Sequence, residues 1–164
     1  MPEFVRFAAS FLSAFLFAGA VHAADLRDVK DVKRIAATFA KPAKLRLLNV
    51  WATWCVPCVA EMPDLRAIDD AFGAELSVVG ISLDDMIPDV QRSKVVSFLD
   101  KQKIAFPNLY YTGNPDDLAF LLKFSGEIPM TIVYDAQGKE LWRHQGRIDK
   151  AKTIAQLRKL LGRK

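Results

Sequence analysis

Cys55 and Cys58 are the only cysteines in this chain, and they sit in the segment Trp54-Cys55-Val56-Pro57-Cys58, with Glu61 following one helical turn after the second thiol. Two thiols at this spacing can close and reopen a disulfide, and a lone pair so placed is suited to exchanging electrons rather than to stapling a fold. Only a thiolate attacks, and the partial positive charge of a helix N-terminus stabilises that anion. The pattern therefore predicts Cys55, at the helix tip, as the nucleophile. Cys58, in the first turn and shielded, becomes the resolving thiol that attacks the mixed disulfide from within. Resolution needs a base, and Glu61 stands three residues beyond Cys58 on the same helical face. Its plainer role would be a first-turn carboxylate that favours the helix dipole. The acid/base role is preferred because Asn49, on the segment leading into the motif, carries an amide that does not titrate.

The elements that must position these groups can be read from periodicity. Residues 45–51 form a mostly buried strand that runs straight into the cysteines, and in 56–72 the apolar positions Val59, Met62, Leu65, Ile68 and Phe72 recur at helical spacing before Gly73. Pro57 in the first turn presets helical backbone at no cost in hydrogen bonds, whereas Pro63 falls inside the helix and predicts a kink near Val59. A strand is expected at 76–83, a helix at 88–103, an extra strand at 106–111 and a third helix at 115–124. Residues 131–134 and 140–144 read as a hairpin turning at Gln137-Gly138, and 148–161 as a closing helix. Residues 25–40 suggest a short helix, broken at Lys41-Pro42. Strands and helices alternating, then a hairpin and a final helix, predict an α/β fold with a mixed central sheet and helices on both faces.

A second signal lies in Glu127-Ile128-Pro129-Met130-Thr131, a proline immediately before an apolar strand. X-Pro bonds tolerate the cis form, and a cis Ile128–Pro129 bond opposite the cysteines would present the Ile128 backbone to an extended substrate segment. Trp54 and Pro57 complete the expected substrate-contacting set with Ile128 and Pro129. Trp51 and Trp54 flank the motif, either beside the sulfurs or as plain core.

Residues 7–21 form an almost unbroken apolar run after Arg6, and Val21-His22-Ala23-Ala24 offers a small-residue cleavage site. This reads as a signal peptide ending at residue 23, with retention as an uncleaved anchor left open. An N-terminal extension (24–44) and one domain (45–164) follow, about 140 residues that can bury a single core. The net charge of +4 is spread over the surface, and basic residues are not interleaved with aromatics on one face, which argues against nucleic acid binding. An exported protein with a reactive pair works where disulfides persist, so partners must set its redox state.

The segment from Trp51 to Pro63 closely resembles the active-site segment of the thioredoxin superfamily, specifically its TlpA/ResA type of thiol-disulfide oxidoreductases. The resemblance runs from about residue 45 to the end. In that family the W-C-x-P-C segment, a glutamate three after the second cysteine and a cis-proline before the third core strand recur, here falling on Trp54 to Cys58, Glu61 and Pro129. Residues 84–124 look like the central insertion that sets this branch apart from minimal thioredoxin. The resemblance implies a protein disulfide reductase in the bacterial periplasm or on the outer membrane face, acting in cytochrome c or copper-oxidase maturation. Its partners would be disulfide-bearing client proteins and a membrane thiol-disulfide electron donor; it would work as a monomer and without a cofactor. Two departures stand out. Relatives often open with a β-hairpin where 25–40 here looks helical, and Met130 follows the proline where smaller or polar residues are common.

Three other readings compete. A disulfide-introducing oxidant would carry the same motif at a different redox potential. A metallochaperone would bind copper or zinc through Cys55, Cys58 and His144, although His144, between Arg143 and Gln145, reads better as a solvated strand position. A peroxidase of the related peroxiredoxin branch would need a Pro-x-x-x-Thr-x-x-Cys setting, which the residues before Cys55 do not provide.

Overall fold

The computed structural model describes residues 24–39 and 42–163. The apolar run 7–21 and its expected cleavage site lie outside the described residues. The sheet has six strands in the order β1-β4-β3-β2-β5-β6. These are β1 (Leu26–Val29), β2 (Leu45–Trp51), β3 (Leu76–Ser82), β4 (Asn108–Tyr111), β5 (Met130–Asp135) and β6 (Glu140–Gln145). The first four are parallel to their neighbours, and β5 and β6 add an antiparallel hairpin beside β2. Every residue of β3 and all but one of β2 are buried, as expected of parallel strands covered on both faces.

Four helices cover the sheet: α1 (Val56–Phe72), α2 (Arg92–Lys101), α3 (Pro115–Leu122) and α4 (Lys150–Leu160). On one face α1 packs against α4 and is tied to the end of α2 by Arg66 Nη1, which donates to the Gln102 carbonyl at 2.9 Å. On the other face α3 meets a 3-10 turn, Val32–Thr38, above Leu48 and Tyr134. The α/β architecture, with a mixed central sheet and helices on both faces, is thioredoxin-like. Helix α1 runs on past Pro63 to Phe72, with Met62, Leu65, Ile68 and Phe72 all buried. It stops at Gly73, whose φ of 52° favours glycine.

The N-terminal segment departs from the helix expected over 25–40. Leu26–Val29 instead adds a parallel edge strand to β4, and only then does the short 3-10 turn begin, capped by the Asp31 side chain on Lys33 N–H. Pairing overrides local pattern here: the open edge of β4 offers unpaired backbone groups, and Asn108 N–H donates to the Asp25 carbonyl at 2.7 Å. Arg92 fixes the strand further through the Leu26 carbonyl and the Asp28 carboxylate. Helix α2 starts at Arg92, later than expected, because residues 84–86 form a 3-10 turn and Pro88 lies in the following bend.

Candidate functional site

Strand β2 ends in the centre of the sheet and delivers the chain to the N-terminus of α1. Cys55 is the N-cap residue, and its Sγ accepts the Cys58 backbone N–H at 3.3 Å. This donor, with the end of the helix dipole, is what stabilises charge on the sulfur. The two cysteines are joined as a disulfide with their Cα atoms 5.2 Å apart. Cys58 is completely buried, while Cys55 keeps 7% of its surface open. The order of access is thus the one the sequence predicts. Around Cys55 the surface is apolar and uncharged: Trp54 and Val56 are exposed large side chains, and Pro57 is exposed beside them. Trp51 is wholly core, its ring 5.4 Å from Phe98 and its Nε1 donating to Asn108 Oδ1 at 3.0 Å.

Facing Cys55 is the loop entering β5. The Ile128–Pro129 peptide bond is cis, and the Ile128 carbonyl oxygen lies 3.7 Å from Cys55 Sγ. Ile128 is half-buried and Pro129 buried.

Glu61 is entirely buried behind Cys58, one turn along α1. Its Oε1 accepts from Asn49 Nδ2 at 2.8 Å and its Oε2 from the Ile148 backbone N–H at 2.9 Å. Asn49 Nδ2 also lies 3.2 Å from Thr131 Oγ1, and Asn49 Oδ1 is buried without a hydrogen bond. Burial pushes the Glu61 carboxyl above its ordinary range; the Ile148 and Asn49 hydrogen bonds and the charges of His144 and Arg147 pull part of that back. The arrangement gives a carboxyl that holds its proton to higher pH than an exposed glutamate does, three residues along α1 from Cys58.

Two groups in the site escaped the sequence reading. Asp84, fully buried just past β3, accepts from Thr53 N–H at 3.0 Å, from Thr53 Oγ1 at 2.5 Å and, through its other oxygen, from Ser82 Oγ at 2.7 Å. It pins the turn that presents Trp54 and Cys55. The signal was an acid at the C-terminal end of one buried strand and a threonine at the end of another, meaningful only once the pairing of Trp51 with Ser82 is known. The Ile148 N–H is a backbone donor with no side-chain signature. His144, the third ligand of the metal reading, stacks on Trp142 with centroids 5.7 Å apart, and its Nε2 lies 3.2 Å from the Arg147 carbonyl. Among the described residues no three His, Cys, Asp or Glu side chains come together to hold a metal ion.

A disulfide capping a helix, a facing loop before an antiparallel strand and a buried acid behind the inner sulfur make up a thiol-disulfide exchange site on a thioredoxin-like fold. The chain belongs to the AhpC/TSA family, whose family model matches residues 22–140. Comparison with curated proteins finds no match. Among solved structures the chain is similar to a DsbF homologue from Corynebacterium diphtheriae, at 26% identity and a TM-score of 0.62, covering 74% of this chain and 75% of that one. It is similar also to a thiol:disulfide interchange protein of the thioredoxin family from Chlorobium tepidum, at 26% identity and a TM-score of 0.57 over 72% and 81% of the two chains. StoA from Bacillus subtilis shares the fold, at 19% identity and a TM-score of 0.57 over 69% and 81%. No helix among the described residues is long and apolar enough to cross a membrane.

Proposed function

We propose that this protein is an exported dithiol reductase of protein disulfides, with Cys55 as nucleophile, Cys58 as resolving thiol and Glu61 as the proton carrier for resolution. The observation that carries this reading is the carboxyl of Glu61 held in the core behind Cys58. Strong oxidants of this chemistry owe their potential to a stabilised reduced form. A buried acid beside the pair works the other way, since its anion disfavours a second negative charge on sulfur. In the reaction the Cys55 thiolate attacks a client disulfide, releasing one client thiolate and forming a mixed disulfide. Cys58, losing its proton to Glu61, then attacks Cys55 Sγ, releasing the second client thiolate and leaving the Cys55–Cys58 disulfide. Two electrons pass to the client, and a membrane thiol-disulfide donor restores them.

The exposed apolar rim of Trp54, Val56 and Pro57 and the backbone of Ile128 beside Pro129 fit an extended client segment, bound by strand-like pairing. The apolar run 7–21 supports export to the periplasm, with the mature chain beginning near residue 24, its thioredoxin-like domain spanning 45–164 and acting as a monomer. Maturation of cytochrome c or of copper oxidase is the setting that the family resemblance suggests. Equilibration of the pair against glutathione tests the direction of electron flow. A reductase gives a potential below about −200 mV, and a value near the −120 mV or so of strong oxidants overturns the reading.

A further inference from the structure

The Glu61 carboxyl and the His144 imidazole grip opposite ends of a single peptide group. The peptide joining Arg147 to Ile148 presents its carbonyl oxygen to His144 Nε2 at 3.2 Å and its N–H to Glu61 Oε2 at 2.9 Å. Strand register sets Asn49, Thr131 and His144 in one row on one side of the sheet, since Asn49 pairs with Thr131 and Thr131 with His144, and Asn49 reaches Glu61 of α1. His144 ends this row half-buried, flat against Trp142, while Glu61 ends it in the core. The turn between them is tethered to the loop opposite the cysteines as well, since Gly146 N–H donates to the Pro129 carbonyl at 2.8 Å and Gln145 Nε2 to the same oxygen at 3.2 Å.

We propose that His144 is a positioning residue for Glu61, acting through the Arg147–Ile148 peptide: by donating to the Arg147 carbonyl it polarises the peptide, strengthens the Ile148 N–H bond to Glu61 and steadies the carboxylate. This rests on the role given to Glu61 above. Hydrogen bonds in a chain polarise one another, and the effect is larger away from water. An imidazole with its proton on Nε2 donates to the Arg147 carbonyl, which can only accept. Of the charged groups nearby, Arg147 also acts on Glu61 and pairs with Asp64 of α1 at 3.7 Å; Asp64 pairs in turn with Lys150, at the start of α4, at 3.5 Å. From β2 the acid meets the neutral Asn49, whose Nδ2 lies 3.2 Å from Thr131 Oγ1 of β5. His144 is therefore the side chain in this shell whose hydrogen bond holds the far end of the peptide bound to Glu61.

The test is a carboxyl carbon NMR titration of Glu61 in the oxidised protein, which needs no turnover and so stands or falls apart from the reductase reading. His144→Phe keeps the stacking on Trp142 and removes the donor, whereas His144→Gln keeps a donor that does not titrate. His144→Phe should raise the Glu61 midpoint by about half a pH unit or more, and His144→Gln by less than half as much. In the wild type, imidazole nitrogen shifts should show His144 carrying a proton on Nε2, as its contact with the Arg147 carbonyl requires. An unchanged Glu61 midpoint in His144→Phe, an equal shift in both variants, or a His144 ring with its proton on Nδ1 alone each overturns the proposal. The wild-type measurement needs no substitution, so a variant that folds poorly does not shield it.

Discussion

Replacing Glu61 with glutamine removes one titrating proton from the core while keeping its shape. Burial raises the carboxyl above its ordinary value of 4.5, against the pull of Ile148, Asn49, His144 and Arg147. An acid that holds its proton more tightly in the folded chain than in the unfolded one contributes stability at low pH, and that stability is lost as pH rises through the folded-state value. Between the unfolded and folded pKa values, unfolding releases this proton, so the wild type loses stability relative to Glu61→Gln by up to about 1.4 kcal/mol per pH unit. Below and above that window the difference is flat. Glutamine need not forfeit either hydrogen bond. Its Oε1 can accept from Ile148 N–H, and its Nε2 can donate to Asn49 Oδ1, which lacks a partner in the wild type, once the Asn49 amide turns over. Guanidinium unfolding of the oxidised protein, followed by circular dichroism in steps from about pH 4 to about pH 9, reads the difference directly. A gap that stays constant, or that moves in favour of the wild type as pH rises, refutes the raised carboxyl and with it the proton-carrier role.

Two further outcomes follow from the geometry. Cys58→Ser should accumulate mixed disulfides between Cys55 and client proteins, because the group that would resolve them is gone and Cys55, unlike Cys58, keeps part of its surface open; mass spectrometry that finds none in a periplasmic extract counts against Cys55 as the attacking thiol. Asp84→Ala leaves the Thr53 N–H, the Thr53 hydroxyl and the Ser82 hydroxyl without their acceptor. It should cost about 2 kcal/mol or more by chemical denaturation and slow disulfide exchange as the Thr53–Cys55 turn loosens; full retention of both stability and rate would show that the turn is held by other contacts.

The chemistry was legible in the sequence because it is written in consecutive residues. Trp54 to Cys58, Glu61 one turn on and Pro129 before a strand each carry their meaning locally, and helix α1 follows from the spacing of Met62, Leu65, Ile68 and Phe72. The sheet order needed less inference than its edge. Strands β2 and β3 read as mostly apolar runs, whereas β1 is a strand only because β4 leaves an edge beside it, and Leu26 and Val29 alone do not distinguish that from one turn of helix. The supports of the site were hidden for the same reason. Asp84 meets Thr53 through strand register, Ile148 reaches Glu61 through a backbone N–H, and His144 lies in the Glu61 shell because β6 aligns it with Thr131 and Asn49. Each depends on a pairing between segments far apart in the chain, which composition and periodicity do not encode.

The most direct test of the account is the ionisation of the reduced pair, read from thiolate ultraviolet absorbance against pH in wild type, Cys55→Ser and Cys58→Ser. The helix N-terminus and the Cys58 N–H predict that Cys55 ionises below the ordinary thiol value of about 8.5, and that the low-pH step vanishes in Cys55→Ser and survives in Cys58→Ser. Two sulfurs that both ionise at or above that value, or a low step that follows Cys58 instead, would contradict it.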